Sequence, residues 1–124
     1  MGNVRAIRGA TTADQNSKDA IVDASVELLT ELINANNLGD ADVISAFFTT
    51  TPDLNAQFPA VAARKIGWVN VALMCAHEIA VPDGQKRCIR VMIYINSDRS
   101  VDQVKNIYLK EAINLRLHDF EESN

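Results

Sequence analysis

The sequence predicts a small α/β (α+β) fold, a mixed β-sheet with one long helix packed on it. Three observations carry that prediction. One stretch, and only one, keeps its apolar residues at helical spacing over several turns, from Ile21 to Ile33. Four shorter runs are rich in β-branched residues and end in polar, proline or glycine turns, as strands do. At 124 residues the chain has the size of one domain with one core, and it is read as a single domain over 1–124.

The elements follow in order. Val4–Thr11 alternates and passes through Gly9-Ala10-Thr11-Thr12 into a loop, a first strand. Ser17 is placed to cap a helix, its hydroxyl accepting a backbone N–H, and Asp19 suits the positive first turn. From there Ile21, Ala24, Leu28 and Leu32 form a stripe that Val22, Val26, Leu29 and Ile33 thicken, up to a stop near Asn36-Asn37-Leu38-Gly39. Val43–Phe48 is a second strand and Thr49–Asp53 a polar turn. Pro59 opens a short helix through Ala60, Ala62, Ala63 and Arg64, because proline is favoured in a first turn. Val69–Cys75 is a third strand, Pro82-Asp83-Gly84 a turn, and Arg87–Ile95 a fourth strand. The tail is assigned a short helix within Val101–Leu109 and an extended piece over Ala112–Leu117.

Arg90 lies in the middle of the most apolar run, Cys88-Ile89-Arg90-Val91-Met92-Ile93-Tyr94-Ile95, which reads as a buried strand. A guanidinium cannot discard its proton, and burying it unpaired costs several kcal/mol. An anion must meet it, either a protein carboxylate or a ligand. Counting by two, Ile89, Val91, Ile93 and Ile95 project to one face, and Cys88, Arg90, Met92 and Tyr94 to the other. Both faces are largely apolar while one long helix is available to cover them, so the second face is expected to pack on another subunit.

Composition narrows the function. A formal charge of −4 without a basic stripe excludes a nucleic-acid binder. No segment has the length of a membrane span, the N-terminus lacks an apolar signal core, and Ala6 stands where a myristoylation motif needs Ser or Thr. The two cysteines, Cys75 and Cys88, are read as reduced thiols in a cytoplasm. No phosphate-cradling glycine loop, nucleotide fingerprint, Ser-His-Asp set or zinc-like spacing appears, and no metal or cofactor is expected.

The functional candidates are Arg8, Arg64, Cys75, Glu78, Arg90, Tyr108 and Arg116. Glu78 is open to two readings, a site residue or simply the counter-ion of Arg90. Cys75 is by default a small buried hydrophobe. His77 is expected to point away from Cys75's neighbours and so to supply no base for that thiol, and His77 and His118 are read as surface residues. Asp53, Asp83 and Glu121-Glu122 are read as solvated charge. Unaided, these residues describe a self-associating domain with an arginine-rich pocket for a small carboxylate.

Taken together, Ile7-Arg8-Gly9-Ala10-Thr11-Thr12, Thr51-Pro52-Asp53-Leu54, Phe58-Pro59-Ala60 with Arg64, Cys75-Ala76-His77-Glu78, Cys88-Ile89-Arg90-Val91-Met92, Val104 to Tyr108-Leu109 and Leu115-Arg116 resemble the monofunctional AroH-type chorismate mutases. The likeness is collinear and runs nearly end to end. It implies a barrel-like homotrimer with active sites between subunits, acting on chorismate to give prephenate in the route to phenylalanine and tyrosine. It assigns Arg90 to the ether oxygen, Glu78 and Cys75 to the ring hydroxyl and its surroundings, and Arg8 and Tyr108 to a substrate carboxylate. Arg64 and Arg116 fall at the mouth or on the tail. Phe58, Ala60, Leu73 and Leu115 line the apolar wall, and Met74 contributes through its backbone. A shared cleft also predicts that Arg8-inactive and Arg90-inactive subunits complement one another on mixing.

Three departures stand out. Val61 occupies a position where some relatives have lysine, Met74 replaces a smaller polar residue, and Leu115-Arg116-Leu117-His118-Asp119 lacks the proline associated with this turn. Two rivals share some of these features. The trimeric enamine/imine deaminases have a related architecture and a strand arginine, but not the Cys75, Glu78, Arg90 and Tyr108 set. A binding module for an aromatic-pathway metabolite would keep the fold without turnover.

Overall fold

In the computed structural model, which describes residues 3–115, alternation and helical periodicity produce the expected elements and three that differ. Strand β1 spans Asn3–Thr12, helix α1 Lys18–Asn36, strand β2 Val43–Thr50, helix α2 Val61–Lys65, strand β3 Ala72–His77, strand β4 Cys88–Ser97 and strand β5 Ile107–Tyr108. The five strands form a single mixed sheet in the order β3-β2-β4-β1-β5. β4 is antiparallel to β1 and β2, whereas β3 joins β2 and β5 joins β1 in parallel.

Helix α1 starts where its cap predicts, with the Ser17 hydroxyl accepting the Ala20 N–H at 3.1 Å. It stops at Asn37, which adopts a left-handed φ of 50° while Leu38 N–H reaches back to the Ile33 carbonyl at 3.1 Å. Its stripe of Leu28, Leu29 and Leu32 packs on Ile7, Phe48, Val91, Ile93 and Ile95 to make the main core. Gly9 permits this approach. A Cβ there would stand 2.7 Å from Leu32 Cδ1 and 3.4 Å from the Ile107 carbonyl oxygen.

Three expectations are corrected. β2 does not end at Phe48: Thr49 and Thr50, expected in a turn, continue it because both find partners on β3 and β4. The third strand begins at Ala72, not Val69. Gly67 at φ +99° turns the chain, and Trp68 and Val71 drop into the core before it extends. In the tail, the expected short helix is a 3-10 helix over Val101–Gln103, but β5 follows it, an element that local pattern does not announce. Residues 112–115 are not extended; a 3-10 turn over Lys110–Ala112 leads into helical residues at 113–115, with Ala112 fully buried.

β5 is held in place by polar contacts. The Asn36 side chain, 1% exposed, donates to Lys105 O at 2.9 Å and accepts from Lys105 N at 2.8 Å. The Asn106 side chain accepts from the Arg8 N–H at 2.8 Å. The end of α1 thereby fixes where Tyr108 can reach.

Candidate active site

Helices cover one face of the sheet. On the other, register builds a cavity. Thr49 pairs with Arg90, and Arg90 with Ala10, which in turn pairs with Tyr108. One rung away lie Phe47, Met92 and Arg8. The result is a cavity of about 260 Å³ bounded by Arg8, Glu78, Arg90, Tyr108, Phe47, Thr49, Met92 and Leu115, among others.

Glu78 enters it by backbone pairing. Its N–H donates to the Thr50 carbonyl at 2.8 Å, extending the β2–β3 ladder one residue past β3 and turning the side chain toward β4. Arg90 grips that carboxylate with both prongs, Nε to Oε2 at 2.6 Å and Nη2 to Oε1 at 2.7 Å. The Thr49 hydroxyl donates to Oε2 as well. Arg90's hydrogen bonds hold the Glu78 carboxyl below the usual glutamate range; partial burial opposes them and Thr49 adds to them.

Two expectations about Arg90 change here. Its side chain is 48% exposed in the single chain, because it stands on the face that no helix covers. Its anion need not be either a carboxylate or a ligand alone: Glu78 is a protein partner, and an open cavity lies before the pair.

Of the remaining expected residues, those that are described do not join this cavity within one chain. Cys75 pairs with Phe48, which pairs with the buried Val91, so its thiol faces the helix side of the sheet. It lines a second recess of about 340 Å³ with Phe58, Pro59, Leu54, Ala76 and His77. Phe58 is 68% exposed at that rim. Ala60 is partly buried beside it, its backbone N–H meeting the Cys75 sulfur, and burial raises that thiol above its ordinary range. Leu73 packs on the core, Met74 is exposed on the open face, and Arg64 donates to the Trp68 carbonyl. Arg116 and His118 lie outside the described residues.

Three smaller expectations are also revised. His77 does not point away from Cys75; two residues apart on one strand, they line the same recess, with His77 Nε2 3.2 Å from the Leu54 carbonyl. Asp53 is not simply solvated. It accepts the Arg87 N–H at 2.9 Å and the Thr51 hydroxyl at 2.5 Å, pinning the start of β4. Arg8 and Arg90 line one cavity of one chain, whereas the expected complementation puts them on opposite sides of a shared cleft.

Thr49 and Phe47 carry no signal of a site in the sequence, where one falls in a polar turn and the other in a plain apolar strand. The missing signal was pairing: only the β2–β4 register puts them opposite Arg90 and Met92. Cys88 is buried, which pushes its thiol up to about 11 and leaves it a poor nucleophile. Among the described residues no group of three or more His, Cys, Asp and Glu could hold a metal ion, and no helix is long and apolar enough to cross a membrane.

The chain is similar to known proteins over most of its length. The profile of a family described as chorismate mutase type I matches residues 4–119. The chain is 39% identical over 114 residues to chorismate mutase AroH of Bacillus subtilis (strain 168), covering 91% of this chain and 90% of that protein. It is 43% identical over 114 residues to chorismate mutase AroH of Thermus thermophilus, covering 91% and 93%. A solved structure of a chorismate mutase from Clostridium thermocellum superposes with a TM-score of 0.87 at 47% identity, covering 89% of this chain and 98% of that one.

Proposed function

The chain belongs to the type I chorismate mutases and is an isomerase, and from that premise we propose that the cavity holding Arg8, Glu78, Arg90 and Tyr108 is one half of its active site. The substrate is chorismate and the product prephenate. One ether C–O bond breaks as one C–C bond forms within the same molecule, and no proton is exchanged, so neither base nor nucleophile is required.

The observation that carries this reading is the convergence of Arg8, Glu78, Arg90 and Tyr108 from separate segments of the sheet on one cavity. As the C–O bond stretches, the ether oxygen gains negative charge. The Arg90 guanidinium stabilises that charge more in the transition state than in the ground state. Glu78 accepts the ring hydroxyl, and Arg8 and Tyr108 hold a carboxylate. Fixing the compact conformer in which the reacting carbons meet supplies a further share of the rate.

The second half comes from a neighbouring subunit in a homotrimer. Support lies in the open sheet face, where Phe47, Met74 and Tyr94 are exposed, and in the separate recess carrying Phe58 and Cys75. Phe58, Ala60, Leu73, Met74, Cys75 and Arg64 of one subunit complete the apolar wall and mouth of the next subunit's cavity, with Leu115 and Arg116 on its own side. The protein works as one domain in the cytoplasm, and the chemistry calls for no metal or cofactor.

The test is to follow chorismate consumption by the purified protein with neither metal nor cofactor added, then to mix subunits. Phe58→Asp and Arg90→Ala homotrimers, each inactive, regain a fraction of activity on verified subunit exchange, because some hybrid sites draw both halves from intact chains. No recovery would place the whole site in one subunit.

A further inference from the structure

Thr49 stands in the cavity without having been assigned a role by motif or resemblance. It sits on an interior strand, paired with Arg90 on one side and Ala76 on the other. Its hydroxyl donates to Glu78 Oε2, the same oxygen that receives Arg90 Nε at 2.6 Å. Glu78 itself is carried one residue beyond the end of β3. The Glu78 carboxylate is borne on a flexible side chain with rotational freedom of its own. A donor on a short side chain from a third segment removes that freedom.

Resting on the reading of Glu78 and Arg90 given above, we infer that Thr49 is a positioning residue, whose hydroxyl fixes the Glu78 carboxylate and through it the Arg90 fork in the orientation the migrating ether needs. Two donors on Oε2 and one on Oε1 do not exhaust the carboxylate, which can accept about four hydrogen bonds. The remaining capacity serves the substrate's ring hydroxyl. Among the described residues, the charged and titratable groups around Glu78 are Arg90 and the buried Cys88 on β4, Arg8 on β1 and Tyr108 on β5. Thr49 is the neutral donor among them.

The experiment compares wild type, Thr49→Val, Thr49→Ser and Glu78→Gln by steady-state kinetics on chorismate across pH, with folding checked by circular dichroism. Valine keeps the strand-forming shape and deletes the donor, whereas serine keeps the donor and loses the β-branch. Thr49→Val lowers kcat about tenfold, the effect of one hydrogen bond to a charged group, with a much smaller change in KM. It also moves the acid limb of the pH–rate profile upward, because a donor that favours the ionised carboxylate is gone. Thr49→Ser restores both. A role in strand packing alone reverses the order, valine being active and serine impaired, and that result overturns the inference. So does an unshifted acid limb with wild-type kcat in Thr49→Val while Glu78→Gln is crippled, which leaves the site reading intact. Wild-type turnover in Glu78→Gln removes the site reading and this inference together.

Discussion

The two faces of one sheet divide stability from chemistry. On the helix side, Ile7, Phe48, Ile89, Ile93 and Ile95 are fully buried. On the opposite side, alternating with them along the same strands, Phe47 is 38% exposed, Tyr94 42% and Met74 66%, and the Arg90–Glu78 pair stands among them. Under helix α1 the covered face is complete in a single chain, and at the β3 edge it opens into the recess of Phe58 and Cys75. The open face combines an apolar surface with a fixed charge, which is suited to a partner and a substrate more than to a monomer in water. A strand can carry both programmes because its side chains alternate, so neighbouring residues answer to different constraints.

This division can be attacked from each side. The largest effect is expected on the covered face. Phe48→Ala removes a fully buried aromatic and lowers unfolding stability by about 3–5 kcal/mol, read as a reduced midpoint in urea with an unchanged slope. A loss below ~1 kcal/mol would mean that the core repacks and that the two faces are less distinct than the exposures indicate.

Next comes the open face. Arg90→Ala lowers kcat by about 10²–10³-fold while the folded protein survives, since the lost group stabilises the transition state and its side chain is half exposed. Arg90→Lys keeps the charge but not the two-pronged grip on Glu78, and recovers only part of the rate. Comparable urea midpoints for wild type and Arg90→Ala, beside a collapsed turnover, would sharpen the contrast with Phe48. A large loss of stability in Arg90→Ala would blur it.

The smallest effect concerns pH. Glu78's carboxyl is held below the ordinary glutamate value of 4.5 by Arg90, so it stays ionised throughout the neutral range. Its folded-state pKa being depressed, its contribution to stability is present above that ordinary value and is lost as pH falls through the lower one. Turnover follows the same limb and is flat around neutrality, because no proton moves in the reaction. A narrow bell centred near neutral pH would instead point to acid–base chemistry on this face.

Much of both faces was legible beforehand. The α1 stripe, the cap at Ser17, the alternation of β4 and the placement of Arg90 opposite Ile89 and Val91 all follow from spacing within one segment. The candidate set Arg8, Glu78, Arg90 and Tyr108 was also readable, and these residues do meet. Less was legible where two distant segments had to be aligned. The two-residue β5 exists through Asn36, Asn106 and the gap at Gly9, and Thr49 gains its place only opposite Arg90.

The sequence by itself determined which segments are helical or extended, which side chains share a face, and that a permanent positive charge sits in an apolar strand. Those are consequences of short-range periodicity and side-chain chemistry, complete within ten or twenty residues. The tertiary structure alone decided the strand order, the partner that Arg90 holds, the side to which Cys75 turns and the pairing that brings Tyr108 home. Each of these depends on register between segments far apart in the chain, and slipping one strand by a single residue would invert every facing choice it makes.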